Sequence, residues 1–134
     1  MQNTDDFGKL LLRLVLGILI LLHGVAKIMA GPAFIISSVT AAGLPAQLAY
    51  LVYVGEVLAP ILLIVGIWSR PAALVIAGNM AFAIFLVHMK QLMSLNDQGG
   101  WALELQGMFF FAAVAVALLG AGRYSIGGAN GRWN

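Results

Sequence analysis

The chain has 134 residues, of which 62% are hydrophobic and only 9% charged, with a formal net charge of +2. An ordinary soluble domain carries roughly 25% charged residues, and a chain this small leaves too much surface in water to hide so many apolar side chains. The numbers therefore argue against a water-soluble globule, and they exclude a disordered chain, which would be poor in apolar residues and rich in charge. There is no cysteine, so disulfides, thiolate nucleophiles and Cys-ligated zinc or iron–sulfur centres are absent from the sequence. The seven basic residues are spread along the chain and form no stripe for nucleic acid.

Four apolar runs, at about 10–30, 48–68, 72–89 and 102–121, are each close to the roughly 20 residues that cross a bilayer. They are too long and uniformly apolar for alternating barrel strands, and a lipid interior otherwise admits only helices. The first run ends at Gly31-Pro32. Asp5 and Asp6 before it, with His23 and Lys27 at its far end, argue against a removable signal peptide. Residues 32–42 are too short to span and read as an interfacial helix, stopped by Gly43-Leu44-Pro45. Ser69-Arg70-Pro71 makes a tight turn between the second and third runs, and the segment from Asn96 to Gly100 separates the third from the fourth. Gly120-Ala121-Gly122 ends the fourth, and a Gly-rich polar tail follows. Short connections favour an all-α, four-helix antiparallel transmembrane bundle, a single integral-membrane domain over residues 1–134.

Lys9, Arg13, Arg70, Arg123 and Arg132 fall on one side of this bundle, and Lys27 and Lys90 on the other. The positive-inside rule then puts both termini in the cytoplasm. Trp68, Trp101 and Tyr124 sit at span ends and read as interface anchors. Phe109-Phe110-Phe111 and the methionines read as packing or lipid-facing.

Ionisable groups inside hydrocarbon are costly, and each is a functional candidate. From the helical rise, His23 lies roughly 10 Å, Lys27 roughly 5 Å and Glu56 roughly 12 Å below the outer surface. His88 and Glu104 lie within about one turn of it. Five ionisable groups on four helices thus share the outer half, whereas the inner half holds only Arg13, whose long stem allows it to snorkel to the cytoplasmic surface. His23 and Lys27 share a helix face, as do Tyr53 and Glu56. Asn79 and His88 are nine residues apart, half a turn out of phase on a regular helix. Asn79 is therefore set aside as an interhelical hydrogen-bonder, and Glu104 is kept over Gln106, which points elsewhere. Pro60 cannot donate to the Glu56 carbonyl, which predicts a bend and a spare acceptor there.

Two carboxylates, one lysine and two imidazoles become neutral with one added proton. Such a set takes up or releases a proton at modest cost, which suits proton transfer or proton-coupled redox chemistry. Blander readings stand beside this one: Lys27 as a snorkel, His88 as an interface residue, Glu104 as a charge favoured by its helix dipole, and His23–Glu56 as a structural hydrogen bond. A metal site is a rival, but no helix carries Glu-x-x-His and Lys27 would repel a cation.

His23-Gly24 with Lys27, Gly43-Leu44-Pro45, Glu56, Gly66 with Arg70, His88, Gly99-Gly100 with Glu104, and Gly120-Ala121-Gly122-Arg123-Tyr124-Ser125-Ile126, in this order and spacing, resemble the DoxX family of small membrane proteins. The resemblance runs from about Leu10 to Ile126. One departure is Gly127, where the family usually carries an Asp, which puts any role of a tail acid in doubt. The resemblance implies a four-helix protein of the bacterial inner membrane. The family's name derives from subunits linked to quinone-dependent oxidation of sulfur compounds, and relatives are associated with quinone or catechol stress and oxidative-stress complexes.

The resulting expectation is an accessory or catalytic subunit of a quinone-linked redox system. His23 and Glu56 would exchange protons and Lys27 would stabilise an oxyanion, with His88, Glu104 and Tyr53 lining the substrate site. Quinone is the expected redox molecule. The expected partners are the lipid bilayer, a redox partner protein that supplies the electrons, and a second copy of the chain. Two alternatives remain: a small-solute or proton transporter, and a purely structural membrane subunit of a larger complex.

Overall fold

A computed structural model describes residues 2–134. Those residues form five helices and no strand, with one isolated backbone bridge between Leu95 and Trp101. The helices are α1 (Gln2–Ala30), α2 (Ala33–Ala41), α3 (Ala46–Val65), α4 (Ser69–Gln91) and α5 (Glu104–Leu119). By length and composition α1, α3 and α4 are apolar enough to cross a membrane, whereas α5 is apolar but shorter.

The breaks fall where backbone chemistry requires them. Gly31, Gly43, Gly66 and Gly120 all have positive φ, a conformation that glycine adopts without steric cost. Gly66 ends α3 earlier than expected. The tight turn expected at Ser69-Arg70-Pro71 is instead the first turn of α4, where proline is tolerated because it has no N–H to satisfy. At α5 the Leu95–Trp101 bridge and the bond from Glu104 N to the Trp101 carbonyl hold residues 101–103 in turns. That helix therefore starts at Glu104 rather than 102.

One apolar core draws Leu16 and Ile20 from α1, Leu63 from α3, Ile76 and Met80 from α4, and Phe109 and Val116 from α5. The short α2 belongs to a second cluster, with Ile35 and Val39 packed on Ala49 and Val52 of α3.

The end of the core opposite Lys27 is closed by two arginines and the tail. Arg13 does not snorkel. It is 1% exposed, and Nη1 donates to the carbonyls of Leu63 (2.6 Å) and Ile64 (2.8 Å) while Nη2 donates to that of Tyr124 (2.5 Å). The last carbonyls of a helix lack intrahelical donors and carry partial negative charge, so the end of α3 offers this guanidinium better acceptors than a longer reach to water. Arg70 does the same for α5 through the Ala117 and Leu118 carbonyls, both at 2.8 Å. The tail, which carries no apolar periodicity, is ordered by backbone bonds. Ile126 and Gly127 donate to Val65 and Gly66, and Arg70 N donates to the Trp133 carbonyl.

Candidate functional site

Glu56 is the centre of the polar residues. It lies in α3 in a stretch of π-helical turns, Val54–Leu58, just before Pro60. Pro60 has no N–H for the Glu56 carbonyl, and that carbonyl faces Gly24 of α1 so closely that a Cβ at Gly24 would collide with its oxygen. The acceptor expected from Pro60 is therefore the point where α1 and α3 touch. That contact also carries His23 and Lys27, on either side of Gly24, past Glu56.

The Glu56 side chain is 2% exposed. Oε1 accepts from the Lys27 ammonium at 2.6 Å and from Asn79 Nδ2 at 3.1 Å. Oε2 is buried and has no partner among the described residues. An unsatisfied buried acceptor costs about 1–3 kcal/mol, and more when the group is charged, so this oxygen is an open position for a donor. A cavity of about 100 Å³ lies against Glu56, lined also by His23, Lys27, His88, Gln106 and Phe109 among others. A second cavity, of about 70 Å³, meets Glu56, Lys27 and Asn79 on the α2 side.

The expected residues divide. His23, Lys27, Glu56 and His88 line one cavity, so groups from three helices do come together. His23 is exposed, however, and its ring packs edge-on against Phe109 at 5.7 Å between centroids. It makes no hydrogen bond to Glu56 among the described residues, so the structural His–Glu bond weighed above is not formed. Glu104 does not line either cavity at Glu56. It is exposed, with its carboxylate lying over Gly100 at the start of α5. The polar side chain of α5 that lines the cavity is Gln106, whose Nε2 lies 3.4 Å from His88 Nε2. Tyr53 also lies outside both cavities. Its hydroxyl points at the Lys27 carbonyl, 3.4 Å away, and ties α3 to the end of α1.

Asn79 makes the interhelical hydrogen bond expected of it, but its partner is Glu56, so it joins the site from which its phase relative to His88 had excluded it. Ile84–His88 forms π-helical turns within α4. A π turn accommodates one extra residue, which brings the angular separation of Asn79 and His88 from half a turn down to roughly 80°. Both then reach the Glu56 region, Asn79 by a direct bond and His88 across the cavity. His88 is further positioned by Gln91 Oε1, 3.0 Å from Nδ1.

With Glu104 outside, the charges that meet at the cavity are those of the buried Glu56 and the part-exposed Lys27. They balance without the added proton that the sequence count required. No group of three or more His, Cys, Asp or Glu side chains able to hold a metal ion occurs among the described residues.

Residues 8–89 match the DoxX family profile, and the chain belongs to the DoxX family. An uncharacterized protein of Haemophilus influenzae is 36% identical over 92 residues, which cover 66% of this chain and 67% of that protein. A putative oxidoreductase, CatD, of Bacillus subtilis is 30% identical over 92 residues, covering 67% of this chain and 66% of that protein. No solved structure matches the chain.

Proposed function

We propose that this chain is a multi-pass membrane subunit of a quinone-linked redox system, with α1, α3, α4 and α5 crossing the bacterial inner membrane as an antiparallel bundle. Both termini would face the cytoplasm, so that Glu56 lies in the outer half. The observation that carries the chemistry is the buried, unpartnered Oε2 of Glu56, at a cavity shared with His23, Lys27 and His88. A relative described as a putative oxidoreductase supports a redox role.

A quinol releases two protons with its two electrons. In this reading a quinol hydroxyl donates its hydrogen bond to Glu56 Oε2, and Glu56 takes that proton as the electrons leave for the redox centre of a partner protein. His88, held by Gln91 and adjoining Gln106, takes the second proton at the cavity mouth, with His23 as the alternate acceptor on the Phe109 side. Lys27 has a side chain 38% exposed. It holds Glu56 in place and offsets the negative charge that develops on the substrate oxygen. General acid–base groups placed this way contribute roughly 10²–10⁴-fold to a proton-transfer step.

The test is equilibrium binding of a chainless benzoquinol to the detergent-solubilised protein and to Glu56→Gln. Glu56→Gln keeps the shape and one acceptor oxygen but loses the proton acceptor. Binding, and any quinol-dependent electron delivery to a membrane fraction that holds the partner, should fall at least tenfold. Equal binding and equal activity in the two proteins would overturn the proposal and leave a structural subunit.

A further inference from the structure

We propose that the flank of α3 and α4 holds the apolar chain of a membrane-dissolved amphipath whose hydroxyl-bearing head reaches Asn79 and Glu56. The inference deepens the reading of Glu56 as the head-group site and rests on it. The flank carries a groove of about 350 Å³, lined by Leu48, Leu51, Val54, Val75 and Phe82, with Asn79 as its one polar side chain. Leu51, Val54 and Val75 are exposed, so the groove opens sideways, toward the position of lipid in a membrane.

Three observations join this groove to the site. The 70 Å³ cavity shares Val52, Asn79 and Phe82 with the groove, and it shares Lys27, Glu56 and Ala83 with the 100 Å³ cavity. The three spaces therefore follow one another from the flank to Glu56. Asn79 spans the junction: Nδ2 is committed to Glu56 Oε1, whereas Oδ1 has no donor among the described residues. That leaves one acceptor at the inner end of an apolar trough, which suits a molecule with a single donor on a long apolar body. Finally, α4 leaves the floor bare at Gly78, where an added Cβ would meet nothing within 4 Å.

Size favours a chain over a compact ligand. The two cavities beside Glu56 together hold little more than the roughly 150 Å³ that accepts one benzene ring. Ligand sites usually occupy about 300–1,000 Å³, a range reached only when the groove is included. A ring-sized head at Glu56 and a chain in the groove use all three spaces.

The probe is a long-chain alcohol with a photoreactive diazirine in its chain, added to the protein in lipid nanodiscs and mapped by mass spectrometry. Labelling should concentrate on Leu51, Val54, Val75 and Phe82, above the level at Leu11, Leu22 and Leu118 on other exposed faces. Gly78→Leu fills the trough without a backbone clash, and Val75→Trp fills it from the other side. Each should reduce groove labelling to that background. Even labelling of all exposed faces, or groove labelling that survives both fillings, would overturn the proposal. The probe carries no quinone head, so its outcome is separate from that of the Glu56 test. Groove labelling in a protein that binds no quinol would support the groove against the redox reading, and a Glu56-dependent quinol site with no groove labelling would do the reverse.

Discussion

The Lys27 ammonium lies 2.6 Å from Glu56 Oε1, so the end of α1 is joined to the π-helical stretch of α3 by a charge pair whose acid is buried. Removing one partner of a buried pair leaves an uncompensated charge, commonly at a cost of about 3–5 kcal/mol. Lys27 is partly exposed, which reduces the figure here. Lys27→Met should therefore destabilise the protein by about 2 kcal/mol, and Lys27→Met/Glu56→Gln should recover much of that loss. Thermal unfolding of both variants in one detergent checks this. A double variant no more stable than Lys27→Met would mean that the pair is not the link described.

Two glycines give opposite expectations from the same substitution. Gly24→Ala places a methyl against the Glu56 carbonyl oxygen. It must push α1 from α3, and overpacking of this kind costs about 1–3 kcal/mol. Gly78→Ala adds a methyl in open space and removes a flexible residue from a helix, so it should gain up to about 1 kcal/mol. The sign of each melting shift decides the matter.

Arg13 is a test of geometry rather than charge. Its guanidinium reaches three carbonyls in two segments, Leu63 and Ile64 at the end of α3 and Tyr124 in the tail. An ammonium presents a point charge on a flexible stem and cannot reproduce that fork. Arg13→Lys should lose about 2 kcal/mol or more and loosen the tail. Limited proteolysis should then cut within residues 120–134 faster than in the unaltered protein. An unchanged cleavage rate would show that the tail is held by its backbone bonds alone.

How far the sequence could be read follows from which forces leave a local mark. The apolar runs and the glycine breaks at Gly31 and Gly120 are marked by composition, and the helices fall close to where those marks put them; the break at Gly66, inside an apolar run, is not so marked. His23, Lys27 and Glu56 were visible because charge in an apolar run is conspicuous. The place of Asn79 beside His88 is hidden for a different reason. A constant 100° per residue puts the two half a turn apart, and of the π turns at Val54–Leu58 and Ile84–His88 the second breaks that constancy between them; Gln106, on the regular α5, is passed over in the sequence because the neighbouring Glu104 carries the charge. Pro60 signalled the first irregularity, but nothing in Ile84–His88 signals the second. Arg13 was misread because the acceptors that hold it come from sequence positions about fifty and more than a hundred residues away, which no local pattern reveals. The tail is legible only through those same long-range bonds.

The exchange of Glu104 for Gln106 is the most direct check on the site. A charged residue at the helix start drew attention to Glu104, yet its carboxylate lies over Gly100 and outside the cavity. Gln106 lines the cavity beside His88. A neutral hydrogen bond contributes about 0.5–1.5 kcal/mol, so Gln106→Leu should weaken quinol binding roughly two- to tenfold. It should do so without the collapse expected of Glu56→Gln, because Gln106 adjusts His88 and leaves the Glu56 acceptor intact. Glu104→Gln should leave the affinity unchanged, since that side chain lines neither cavity at Glu56. Titration of both variants with the same quinol separates the two assignments. A larger loss from Glu104→Gln than from Gln106→Leu would return the site to the arrangement that charge alone suggests, and would place the start of α5 differently relative to His88.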